Sequence, residues 1–367
     1  DLGWLDLHTA TPSHPSSQAA TPTVKPPISC HKTGLFRKIY LIGVNIPLLR
    51  VAFILFLILS RYPCCSAYKM LSNLASKLGL TSKPASQSFL KPRDPSKNML
   101  TKVDYTSNDI LIPDSFLSSP PGKPITTHPI DFANSPLPQY DGHTAIVLDN
   151  VLSPGECKEL LSLAEASVPR PDESAPAWKP ALISAGPGWE APAPGYRESD
   201  RIIWNQQTVV DRLWERCMLS EGLRELLAVV PPQPYMKGGK WVFSRFNERM
   251  RFLKYSPGQF FKPHCDGPFY YTEGPGKEFE TFYTVHLYLN DSVENDPASE
   301  LEGGATSFLD RKGEKRVDVN PKTGSVLIFQ HRGLFHEGAT VHKGIKYTMR
   351  TDILYEWVPD KETEEAN

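Results

Sequence analysis

Three things are scarce in this sequence, and each scarcity removes a class of protein. Cysteine is one: Cys30, Cys64, Cys65, Cys157, Cys217 and Cys265 are six among 367 residues, irregularly spaced and with no C-x-x-C pair. That excludes a disulfide-built scaffold and a cysteine zinc site, and it fits a reducing compartment. Net charge is the second. Forty basic residues against 41 acidic ones leave −1, so neither nucleic acid nor an anionic membrane surface is expected as an electrostatic partner.

Long apolar runs are the third scarcity. Ile39 to Ser60 has the length to span a bilayer. Asn45, Pro47 and Arg50 lie inside it, however, and a mid-bilayer Arg costs about 3 kcal/mol. The uninterrupted part, Val51 to Leu59, is of signal-core length. Two readings stay open: a soluble intracellular protein, or a single-pass anchor through 39–60. Residue 1 is Asp, so the chain reads as a fragment, a processed product or an uncertain gene model, with Met70 as an alternative start.

Proline, by contrast, is abundant: 35 residues, nearly half of them before residue 141. Residues 1–140 read as a Pro- and Ser-rich, mostly disordered arm. A folded domain is expected over 141–358, followed by an acidic tail at 359–367. His143–Leu148 is a β-rich run. Ser153-Pro154-Gly155-Glu156 supplies a capping box with Pro at the first helical position, and Cys157, Leu160, Leu161 and Ala164 continue it with helical spacing. Seven prolines make 169–195 an irregular loop. Val210, Leu213, Trp214 and Cys217 mark a second helix.

From Arg251 the period becomes two. Strands are expected at 251–255, 284–289, 305–309, 315–319, 325–329 and 346–357, with Gly, Pro, Asn and Asp between them. Helices followed by many short strands argue a mostly β sandwich or barrel with flanking helices.

The chemistry concentrates after the first of these strands. In PHCDG, His264 and Asp266 are two apart, so in an extended segment both side chains leave on one side. One distant His would complete a two-His-one-carboxylate set. That set occupies one face of an octahedral metal and suits non-haem Fe(II) oxygenases. His336 in LFHEG is the preferred third ligand, with His331 and His342 as competitors. Ten residues further on, Lys346 shares a strand face with Thr348 and Arg350. Either cation could pair a carboxylate of an anionic co-substrate.

The run from about Arg251 to Tyr355 resembles the catalytic domain of the prolyl 4-hydroxylase-like branch of the 2-oxoglutarate oxygenases. The matching stretches are RFLKYSPGQFFKPHCDG, TVHLYLND, GGATSF, GSVLIFQH and HEGATVHKGIKYTMRTDILY. The resemblance implies a double-stranded β-helix, or jelly-roll. It implies Fe(II) on His264, Asp266 and His336, with 2-oxoglutarate and O2 as co-substrates and ascorbate as supporting reductant. Lys346 would pair the distal carboxylate, with Arg350 as the alternative, and Tyr255 and Tyr288 would add hydrogen bonds. Arg197, Arg201, Tyr270 and Tyr271 are substrate-side candidates. The presence of Asp266 favours hydroxylation over halogenation.

The reaction implied is hydroxylation of a peptidyl residue with release of succinate and CO2. A small-molecule substrate stays open beside it, and so does the oligomeric state. A non-catalytic jelly-roll that binds a metal or a partner is the third reading, and the intact triad with Lys346 speaks against it.

Overall fold

In the computed structural model, which describes residues 100–360 apart from 104, 173, 187, 234 and 235, the expected alternation of side chains becomes two main antiparallel sheets, two minor ones and few helices. The 39–60 run and the acidic tail beyond 360 lie outside the described residues. Among the described residues no helix is long and apolar enough to cross a membrane.

Nine strands surround or support the candidate site: β1 (Ala145–Asp149), β2 (Asp200–Asn205), β3 (Arg249–Tyr255), β4 (Phe260–His264), β5 (Glu278–Tyr288), β6 (Thr306–Leu309), β7 (Val326–Gln330), β8 (His336–Gly338) and β9 (Lys346–Pro359). The large sheet runs in the order Thr126–Pro129, β1, β7, β5, β9, β3, β2 and Lys179–Pro180. Tyr270–Thr272 pairs with β5, and Gly239–Phe246 pairs with β9. The small sheet runs Arg316–Val319, β6, β8, β4 and Arg197–Glu198.

The two faces of the large sheet differ in kind. Val285, Leu287, Val326, Ile328, Met349 and Ile353 point to one side and form a single apolar cluster with the helices. Their alternates Thr284, His286, Tyr288, Lys346, Thr348, Arg350 and Asp352 therefore point to the other side.

Helix α1 (Pro154–Ala166) begins as expected: the Ser153 side chain accepts from the Glu156 amide at 3.3 Å, and the Glu156 carboxylate accepts from the Ser153 amide at 2.7 Å. It buries Cys157, Leu160 and Ala164. Helix α2 (Gln207–Cys217) buries Val209, Val210, Leu213, Trp214 and Cys217. Arg216 on α2 reaches Glu156 on α1 at 2.7 Å, which ties the two helices together. No disulfide joins the three described cysteines.

Two expectations are corrected. Residues 100–140 are not all arm. Thr126–Pro129 adds a strand to β1, and Phe116, Leu117, Phe132, Leu137 and Tyr140 are buried. These apolar residues are scattered through a Pro- and Ser-rich stretch and carry no period, yet each packs into the core. Nor is 169–195 wholly irregular. Ile183–Gly186 and Trp189–Ala191 pair with each other, and Thr101–Lys102 pairs with the latter.

If the 100–140 segment is structural, Phe132→Ala should lower unfolding free energy by about 3–5 kcal/mol. Its ring packs edge-on against Tyr140 and Phe308. Denaturant titration measures the loss, and an unchanged midpoint would return the segment to the arm.

Candidate metal centre

β4 ends on His264 and β8 begins on His336. The two histidines face each other in register across the small sheet, with ring centroids 4.5 Å apart. The carboxylate of Asp266, two residues beyond β4, closes the triangle. Its Oδ1 is 3.6 Å from His264 Nε2, and its Oδ2 is 3.7 Å from His336 Nε2. The three ligand atoms lie within 4.8 Å of one another, and among the described residues this is the one such cluster of His, Cys, Asp and Glu.

Each imidazole is held from behind. His264 Nδ1 is 2.8 Å from the Lys262 carbonyl, and His336 Nδ1 is 3.1 Å from the Leu334 carbonyl. A carbonyl only accepts, so both Nδ1 atoms carry the proton and both Nε2 lone pairs stay available. Phe261 stacks on His264, and Phe329 meets His336 edge-on. Burial, reinforced by His264, brings His336 down to about 3. Its ring is therefore neutral at physiological pH, the form that ligates a metal.

Asp266 is fixed from the large sheet. Thr284 on β5 donates to Oδ2 at 2.6 Å, and Arg350 on β9 donates to Oδ1 at 2.6 Å. Burial pushes this carboxyl up, but the Arg350 guanidinium outweighs it and holds it well below the ordinary carboxylate range. Arg350 also reaches Asp352 at 3.1 Å, and Asp352 accepts from Arg251 at 2.8 Å. The Arg350 charge is thus matched inside the protein.

Lys346 is the opposite case. It is 2% exposed, and no carboxylate pairs with it among the described residues. Its Nζ lies 5.4 Å from the Tyr255 ring centroid and 5.7 Å from that of Tyr288. Burial alone brings the ammonium down to about 7. Gly304, at φ +74, leaves room for its stem: a Cβ there would lie 3.2 Å from Lys346 Cδ.

The other expected residues divide. Tyr255 and Tyr288 flank Lys346, but the Tyr288 hydroxyl already donates to Thr306 at 2.8 Å. Arg197 lies over the Phe261 ring at 4.6 Å, and that ring stacks on His264, so Arg197 borders the triad. Arg201 does not face a mouth. It is paired with Glu190 at 2.5 Å, bonded to Tyr105, and donates to the Leu182 carbonyl at 3.1 Å, an arrangement that pins the 182–190 segment. The Tyr271 hydroxyl bonds Arg245 and Glu273. Tyr270 and Tyr271 pair with Glu280 and Phe279, four or five residues before Thr284, so roughly 14 Å or more along β5.

Of the competing histidines, His331 is fully buried beside Asp352 at 3.5 Å, and His342 is exposed. Sequence reasoning missed Thr284, His286, Arg251 and Asp352. The first two share a strand face with Tyr288 in TVHLYL, and that alternation was the available signal.

Residues 250–351, which carry the whole triad and both buried cations, match the model of the 2OG-Fe(II) oxygenase superfamily. This stretch is a 2OG-Fe(II) oxygenase domain. It brings Fe(II), 2-oxoglutarate and O2 as cofactor and co-substrates, and a dioxygenase activity. Comparison with curated proteins gives no match.

Solved structures similar to this chain include three prolyl hydroxylases. The viral collagen prolyl hydroxylase from Paramecium Bursaria Chlorella virus-1, in complex with 2OG, is 18% identical over 64% of this chain and 97% of its own, with a TM-score of 0.33. The Pseudomonas putida prolyl-4-hydroxylase is 14% identical over 59% and 95%, with a TM-score of 0.37. The Trichoplax adhaerens prolyl hydroxylase, in complex with a hypoxia inducible factor peptide fragment, is 15% identical over 64% and 91%, with a TM-score of 0.36.

Two outcomes are expected of the oxygenase geometry. Thr284→Val leaves Asp266 with one holder fewer and should weaken metal affinity by about 10- to 100-fold, read by metal titration of the purified protein.

Lys346 gives the second. Its folded-state value, about 7, lies below its ordinary one. Between the two values the unfolded chain binds more protons, so stability of the co-substrate-free protein rises as pH increases from about 7 toward about 10. The penalty is complete below about 7. Lys346→Met should raise the melting temperature at pH 7 and flatten that rise. Melts across the range check it, and an unaltered profile would mean that Lys346 is not a buried cation.

Proposed function

We propose that this protein hydroxylates a peptidyl residue, on a double-stranded β-helix, with His264, Asp266 and His336 as the iron ligands and Lys346 pairing the distal carboxylate of 2-oxoglutarate. The observation that carries the reading is an imbalance of charge. Arg350 and Arg251 have carboxylate partners within the protein, whereas Lys346 is more deeply buried than either and has none among the described residues. A buried cation without a partner is costly, and a dicarboxylate seated at the triad relieves that cost. The Tyr255 and Tyr288 rings wall this cation off from water.

Once bound, Fe(II), 2-oxoglutarate and O2 supply the oxidation of a substrate C–H to C–OH, with succinate and CO2 released. The chain's own residues position and exclude. The two Nδ1–H donations to backbone carbonyls aim the imidazoles. Thr284 and Arg350 keep Asp266 ionised and stationary. Arg197, stacked on Phe261 beside the triad, is placed to meet a bound substrate. A peptidyl substrate is supported by the resemblance of the Arg251–Tyr355 run to prolyl 4-hydroxylases, and by exposed Phe269 and Tyr270 in the segment following Asp266.

The test is succinate release from 2-oxoglutarate with Fe(II) and O2, across proline-containing peptides and small molecules, with mass spectrometry for the added oxygen. A peptide should gain it; turnover confined to small molecules would refute the peptidyl assignment. His264→Ala, Asp266→Ala and His336→Ala should each abolish turnover, and His331→Ala should keep the metal. Lys346→Ala should raise the 2-oxoglutarate requirement by roughly 30-fold or more and leave metal binding intact. Arg350→Ala should show the reverse bias, weaker metal binding through the loss of a partner of Asp266. An Arg350→Ala variant with normal metal affinity but lost co-substrate affinity would transfer the carboxylate anchor from Lys346 to Arg350.

A further inference from the structure

Three polar atoms on this face of the large sheet, His286 Nε2, Thr348 Oγ1 and Arg350 Nε, are buried without a hydrogen-bond partner among the described residues. His286 lies on β5, between Thr284 and Tyr288 on the same strand face. Thr284 holds Asp266. Tyr288 has its ring centroid 4.9 Å from that of His286 and 5.7 Å from Lys346 Nζ. The cross-strand neighbours of His286 are Leu327 on β7 and Arg350 on β9. Its imidazole therefore sits between the metal end of the pocket and the Lys346 end.

The Nε2 atom is buried and has no hydrogen-bond partner among the described residues. The charged and titratable groups around it come from three elements: Lys346 and Arg350 on β9, His336 on β8, and Asp266 after β4. Burial first, then those two cations, hold the imidazole well below its ordinary range. It is therefore a neutral donor among cations rather than a third cation. A buried polar atom with an unmade hydrogen bond is a standing cost, and a leucine at the same place on the strand would avoid it. Thr348 Oγ1 is a second orphan, but its side chain is shorter and is placed on β9 between Lys346 and Arg350.

We propose that His286 is a further co-substrate-binding residue, whose Nε2–H donates to the distal carboxylate of 2-oxoglutarate beside the Lys346 ammonium. The inference rests on the co-substrate site described above. A neutral second donor gives the carboxylate a second hydrogen bond without adding a like charge next to Lys346. It also sets the specificity: a 2-oxo acid that lacks the distal carboxylate has nothing for His286 to bond.

Binding without turnover tests this directly. Wild type, His286→Leu and His286→Gln, each loaded with Fe(II) under anaerobic conditions, are titrated by calorimetry with 2-oxoglutarate and with 2-oxopentanoate, which lacks the distal carboxylate. His286→Leu should weaken 2-oxoglutarate by roughly tenfold and leave 2-oxopentanoate unchanged, and His286→Gln should recover part of the loss. Full 2-oxoglutarate affinity in His286→Leu would overturn the assignment. So would an equal loss for both ligands, which would mark His286 as packing. Failure of the wild-type protein to bind 2-oxoglutarate at all would instead remove the co-substrate site itself, and His286 with it.

Discussion

Buried charge is the constraint on which the rest of this structure depends. Asp266 and Asp352 are both nearly inaccessible, and an isolated carboxylate in that position would protonate or unfold its surroundings. Arg350 reaches both, and Arg251 reaches the second. The two acids and two arginines close on themselves and form the polar centre of the large sheet. Because that set is already balanced, any further positive charge there has no carboxylate of the set left to answer it. Lys346 is that charge, two residues before Thr348 and four before Arg350 on the same face of β9.

Strand order converts this balance into a site. β5 lies between β7 and β9, so Thr284 and His286 stand beside Asp352 and Arg350 with no loop to traverse. His264 and His336 come from the small sheet, and Asp266 from the segment that leaves it. Asp266 is accordingly the point where the two sheets meet through polar contacts: it faces small-sheet imidazoles on one side and large-sheet donors on the other. Losing either set of partners would leave a buried charge unpaired, a loss of about 3–5 kcal/mol for pairs of this kind. Metal geometry and sheet packing are therefore one problem here.

How much of this was legible in the sequence depends on which forces set each feature. Strands β3, β5, β7 and β9 and helix α1 were readable because period and capping are local: RFLKY, SVLIF and Ser153–Glu156 state their structure within a few residues. His264, Asp266 and His336 were readable as chemistry because their residue types are rarely assembled without a metal. Phe116, Leu117, Phe132 and Leu137 were not, since they stand singly or as one pair in a Pro- and Ser-rich stretch without a period, and only the tertiary core gives them a place. Arg201 misled for a related reason. Its partner Glu190 lies in a proline-rich stretch with no period, so nothing local showed that its charge was already answered. The choice between Lys346 and Arg350 could not be made from the strand face they share. It turns on Asp266 and Asp352, one brought from another sheet and the other two residues further along β9.

The same reasoning bears on the unlike treatment of the cations in one pocket. Arg350 is planar, carries several donors and is able to bridge two carboxylates at once, which suits a permanent structural role at Asp266. Lys346 offers a compact charge on a flexible stem, and burial brings it to about 7, within reach of neutrality when the pocket is empty. An arginine at position 346 could not shed its proton and would keep a full unpaired charge in the co-substrate-free protein. A lysine lets the site relax toward the neutral amine. The residue type at 346 thus obeys the same requirement that fixes Arg350 on Asp266: no charge stays buried in this sheet without an answer to it.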